Sequence, residues 1–148
     1  MQNGFLEWLI SNRNKIFKSP RGKIFGTNPQ SFEITRVDTI KGIVGLEFKK
    51  SFNLLGLEFW RFETALSLIK KGQKEWVRLG TRYDSDDPNT IEYAIQNKSR
   101  EMHPNREFDL KSAPYICDLF VLAGLAEYGK VINPITKRKN QAIKLIEV

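Results

Sequence analysis

The sequence predicts an α+β fold, and three observations carry that expectation. Residues 55–72 place Phe59, Phe62, Leu66 and Ile69 on one stripe at helical spacing, widened by Trp60 and Ala65. Residues 31–50 are dense in β-branched and aromatic residues around Lys41-Gly42, which reads as a hairpin. The last third, from Lys111 to Val148, reads as a short apolar helix, a break at Gly124 and a two-stranded ribbon with a basic tip.

Taken in order, residues 3–17 predict a helix, with Phe5, Leu9 and Ile16 near helical spacing, Asn3 as its cap and Pro20 and Gly22 beyond its end. Arg13, Lys15, Lys18, Arg21 and Lys23 cluster around that end, either as favourable charges near a helix C-terminus or as a phosphate-contacting arm. With Lys41-Gly42 as a two-residue turn, Asp38 would face Gly45 and Arg36 would face Glu47. Asp38, Glu47 and Lys49 would then project from one side, because side chains alternate along a strand. Helix 55–72 is expected to stop at Gly72, after Lys70 and Lys71. Glu75–Gly80 follows as a short strand, then an acidic loop with Asp84, Asp86 and Asp87. A helix over 89–101 opens on a capping-box pair, Asn89 and Glu92. The next helix runs from Ser112, its cap, to Ala123, with Pro114 in the first turn. Strands 125–132 and 141–148 enclose a tip containing Lys137, Arg138 and Lys139.

A chain of 148 residues, 41% hydrophobic with ten Phe and three Trp, has enough apolar material for a packed core. No apolar run approaches the ~20 residues of a membrane helix. The N-terminus carries an acid early and no basic start before an apolar segment, so a cytoplasmic protein is expected. A single Cys, Cys117, sits among Ile116, Leu119 and Phe120 as a core thiol. With His103 as the only histidine, a Cys/His zinc site within one chain is excluded. No Gly-rich phosphate loop or Ser/His/Asp arrangement is visible, and no cofactor is expected. The net charge is +7. Residues 1–54 carry nine basic and four acidic side chains, and residues 111–148 six against three, so the excess sits at the two ends. Phosphates are the usual partner of such patches.

From residue 55 onward the order is helix, short strand, helix, helix, strand, strand. This resembles a winged helix-turn-helix domain, with residues 1–54 as an N-terminal helix and β-hairpin extension. The resemblance implies double-stranded DNA as partner and, through the extension, a possible homodimer. In that class the last helix enters the major groove with its N-terminal half nearest the bases. Carried over, the candidates are Lys111, Ser112, Tyr115 and Asp118. That helix offers neither Arg for guanine nor Asn or Gln for adenine, which favours the wing as the stronger contact. Lys137, Arg138 and Lys139 would reach phosphates or a minor groove, with Lys130 and Lys144 extending the track.

A second resemblance concerns the first hairpin. Asp38 followed by Glu47-Phe48-Lys49 resembles the acid…Glu-x-Lys pattern of the PD-(D/E)xK nucleases, and Glu7 falls where some members keep a further acid. That resemblance implies two carboxylates holding Mg²⁺ and a lysine assisting water. Here Val37 stands where the pattern has Pro. The structural alternative is an Arg36–Glu47 ion pair across the strands. Because helix 55–72 cannot easily serve both parses, and the winged-helix parse uses more of the chain, a DNA-binding protein without catalysis is the preferred expectation. It would act as a transcription regulator or as the recognition module of a restriction or defence system. The Mg²⁺ nuclease and a protein-interaction winged helix are the alternatives.

Overall fold

The computed structural model describes residues 1–28, 30–72, 75–80, 87–106 and 109–146. It is an α+β protein with two antiparallel sheets. The chain divides into two compact units, Met1–Glu63 and Thr64–Val148. The boundary expected at 54/55 falls instead at the start of a strand of the first sheet, and the division lies inside a helix.

The first unit opens with α1 (Asn3–Ser11), shorter than the helix expected over 3–17. Its cap is Gln2, whose Oε1 accepts from Phe5 N–H at 2.8 Å, not Asn3. Asn14 turns the chain at φ +69 and donates its N–H to Ile34 O, so Ile16 enters a strand. That strand, β1 (Ile16–Lys18), precedes the short α2 (Arg21–Phe25). The meander β2 (Ser31–Asp38), β3 (Ile43–Phe48) and β4 (Leu54–Glu58) completes a sheet in the order β1-β2-β3-β4. Leu54–Glu58 is therefore strand where the stripe over 55–72 predicted helix, and α3 (Phe59–Lys71) starts later. Phe5, Leu9, Ile34, Leu46, Leu57 and Phe62 are buried in this unit.

The hairpin exists, in a different register. Asp38 pairs with Ile43, Val37 with Val44 and Arg36 with Gly45, and Thr35 is an extra residue in β2 before Ile34 meets Leu46. The loop spans four residues, Thr39 to Gly42, because Asp38 Oδ1 accepts from the N–H groups of Ile40 and Lys41, at 3.0 and 2.9 Å. Gly42 closes it at φ +69. The bulge keeps both Ile34 and Val37 on the face that Leu46 and Val44 share, although they are three residues apart.

The second unit holds the rest of α3, β5 (Val77–Arg78), α4 (Ile91–Met102), α5 (Ala113–Leu122), β6 (Ala126–Ile132) and β7 (Lys139–Leu145). Its sheet order is β5-β7-β6. Thr90, not Asn89, caps α4, its Oγ1 accepting from Tyr93 N–H. Cys117 is buried on α5 among Ile116, Leu119 and Phe120, as expected of a core thiol. Among the described residues no helix is long and apolar enough to cross a membrane.

Candidate nucleic-acid interface

The helix expected to carry base contacts faces inward. Ala113, Ile116, Cys117, Asp118, Leu119 and Phe120 are buried along α5. Ser112 is also buried and makes no side-chain capping bond. Its expected role belongs to Glu92 of α4, whose Oε2 accepts from Ala113 N–H at 2.9 Å and Oε1 from Gln96 Nε2 at 3.0 Å. Burial pushes the Glu92 carboxyl above its usual range, opposed by these hydrogen bonds and by the nearby charge of Lys111. Gln96 continues the seam by bonding the carbonyls of Asp109 and Leu110. The carboxylate that paired with Asn89 in the expected capping box thus caps a different helix. Ser112 and Asp118 are corrected: neither is open to a base edge. Asp118 Oδ1 accepts from Tyr128 O–H at 2.6 Å, tying α5 to β6. Lys111 and Tyr115 remain half-buried at the head of α5.

The ribbon has two faces. Tyr128, Lys130 and Ile132 of β6 share one, with their partners Ile143, Gln141 and Lys139 of β7. Tyr128 is buried against α5, its hydroxyl 3.4 Å from Pro114 O. Lys130 and Lys139 are exposed on the same face beyond the helix, toward the tip. This brings the head of α5 and the basic end of the ribbon to one side of the unit. On the other face Trp76 lies across Gly129, where an added Cβ would come within 2.5 Å of the indole. Lys144 Nζ sits 4.5 Å above that indole and 3.5 Å from Glu127 Oε1. Lys144 therefore belongs to a supporting cluster instead of the expected cationic track.

The tip is organised by one residue that composition alone did not single out. Asn133 Oδ1 accepts from Ile135 N–H at 2.9 Å and Thr136 N–H at 3.3 Å, and its Nδ2 donates to Asn140 Oδ1 at 2.9 Å. Its backbone N–H reaches Arg138 O, and its carbonyl receives Lys137 N–H. The Asn133-Pro134 dipeptide was a readable turn signal. Lys137, at φ +62, Arg138 and Lys139 are exposed, and none forms an ion pair among the described residues.

The alternative set in the first unit is not assembled. Asp38 and Glu47 share a face, but the register puts Ile43 opposite Asp38, four residues along β3 from Glu47, roughly 13 Å away. Asp38 is held below its usual carboxylate range, first by the Lys41 N–H and also by that of Ile40. The acid opposite Glu47 is Glu33. Lys49 Nζ bridges the two, 2.7 Å from Glu33 Oε1 and 2.8 Å from Glu47 Oε1, and these bonds raise its pKa, that to Glu33 first. Two carboxylates directly opposed on a sheet repel, and the ammonium between them offsets that repulsion. The expected Arg36–Glu47 pair gives way to this triad. Among the described residues no three His, Cys, Asp or Glu side chains are grouped to hold a metal ion.

Arg13, Lys15, Lys18 and Lys23 are exposed around β1 and α2, and the last turn of α1 itself holds no basic residue. In the expected acidic loop, Asp84 and Asp86 lie outside the described residues, while Asp87 pairs with Arg78 and accepts from Asn89 N–H. No protein-family model matches the chain, and comparison with curated proteins and with solved structures found no match.

Proposed function

We propose that this chain is a DNA-binding protein whose second unit is of the winged-helix type and whose wing, not its last helix, holds the duplex. The reading assigns it no catalysis of its own and a role as transcription regulator or recognition module of a restriction or defence system. The order α3-β5-α4-α5-β6-β7 with sheet order β5-β7-β6 supports the winged-helix reading. The observation that carries the binding reading is the contrast among cations. Lys49 and Lys144 are neutralised by acids, whereas Lys130, Lys137, Arg138 and Lys139 crowd one end of a ribbon, exposed and without an acid partner among the described residues. Such a cluster is suited to phosphates, and the inward-facing α5 leaves few groups for base readout, so binding is expected to tolerate sequence. The Mg²⁺ nuclease is less well supported, because Asp38 serves its own turn and Glu47 is engaged by Lys49.

Fluorescence anisotropy on a mixed-sequence duplex between about 50 and 200 mM salt tests this. Affinity should fall by orders of magnitude across that range. Replacing Lys137, Arg138 and Lys139 by Ala should lower the log–log salt slope by about 2 to 3, at ~0.9 per phosphate contact. A protein-interaction module would instead show no duplex binding at the lowest salt, and that result rejects the proposal. Cleavage in a parallel Mg²⁺ lane, abolished by Glu47→Ala, would restore the nuclease.

A further inference from the structure

The wing tip carries more than charge. Ile135 is 80% exposed and Ile132 64% exposed, the first within the loop and the second opposite Lys139. A solvated loop tip gains nothing from a branched apolar side chain held in water. This one is held there by a defined loop: Ile135 N–H is fixed on Asn133 Oδ1, Arg138 N–H reaches Thr136 Oγ1, and the backbone bonds between Asn133, Lys137 and Arg138 close the turn. Ordering the backbone beforehand removes a cost that binding would otherwise meet. The exposed cations Lys137, Arg138 and Lys139 follow Ile135 after a single residue, Thr136.

We propose that Ile135 is an apolar wedge that the wing presses into the minor groove of duplex DNA, with Lys137, Arg138 and Lys139 holding the flanking phosphates. This rests on the DNA-binding reading above. The minor groove is about 6 Å wide, too narrow for a two-stranded ribbon but open to the side chains of a tip. Its walls are phosphate-lined, which suits the cations, and its floor is where proteins insert apolar side chains against base steps. An anionic lipid surface has the same charge. Two isoleucines, one on the loop and one at the end of β6, however, supply little of the apolar area that holds an amphipathic element in a bilayer.

The test uses the full chain and an A·T-rich duplex at about 50 mM salt. Ile135→Ala should weaken binding about tenfold while leaving the salt slope unchanged, because no charge is removed. Ile135→Val, which keeps a branched apolar group, should retain most of the affinity. Filling the minor groove beforehand with netropsin should lower wild-type affinity toward that of Ile135→Ala. Equal binding by wild type and Ile135→Ala overturns the wedge while leaving the DNA-binding reading standing. Insensitivity to netropsin places the tip elsewhere and also overturns it. Absence of wild-type duplex binding removes both. Ile135-dependent binding to phosphatidylserine vesicles, with duplex binding indifferent to Ile135, assigns the tip to lipid and rejects the proposal.

Discussion

At the scale of single residues, two positions show local preference and packing in conflict. Phe52, between β3 and β4, adopts φ +58 and is 74% exposed. A left-handed conformation costs an L-residue roughly 1–2 kcal/mol, and little burial offsets it here. Phe52→Gly removes that strain and gives back about 0.5–1 kcal/mol through a more flexible unfolded chain. The variant should therefore be more stable by up to about 1 kcal/mol, read as a rise of a few degrees in Tm; a lower Tm would mean that the ring packs to advantage. Gly129 is the opposite case. The indole of Trp76 occupies the space of its missing side chain. Gly129→Ala should cost about 1–3 kcal/mol of overpacking, seen in urea unfolding. Neither residue stood out in the sequence: position 52 takes its φ from the tight turn between β3 and β4, where Phe52 N–H reaches Phe48 O, and the neighbour of position 129 comes from a segment far away in the chain.

Among the elements, α5 departs most from expectation. Its limits were legible, 112–123 expected against Ala113–Leu122 observed, because Pro114, an apolar run and Gly124 are local signals. Its orientation was not, since an apolar helix fits a recognition role and a core role alike until its neighbours are known. Glu92 settles the matter by capping α5 from another helix, 21 residues away in sequence. A buried carboxyl whose folded pKa lies above its unfolded one binds more protons in the folded state. Its contribution to stability is complete below the unfolded value, near 4.5, and is lost as pH rises through the folded value. The difference in unfolding free energy between wild type and Glu92→Gln should thus shift in favour of wild type as pH falls from 7 toward 5. A difference that stays flat over that window would place the carboxyl in ordinary solvent. Glu92→Ala, which leaves the Ala113 N–H without its acceptor, should cost about 1–3 kcal/mol at neutral pH.

On the scale of the whole molecule, charge and topology were legible to different depths. The basic excess at the two ends of the chain is a property of composition, and it supports the steep salt dependence expected of the wing. Which cations are available is a property of packing: Lys144 is stacked on Trp76 and paired with Glu127, Lys49 is clasped by Glu33 and Glu47, and Lys137, Arg138 and Lys139 stand clear. The sequence by itself determined the α+β class, the first hairpin, the helices in the second half and the basic ribbon tip. Those follow from periodicity, β-branched runs and turn residues, whose effects reach only a few positions along the chain. The tertiary structure decided that Leu54–Glu58 is strand, that Thr35 bulges and sets Glu33 opposite Glu47, and that α5 turns inward beneath Glu92 and Tyr128. Each of these depends on a partner strand or helix distant in sequence, and burial against that partner outweighs the weak local preference of the segment itself.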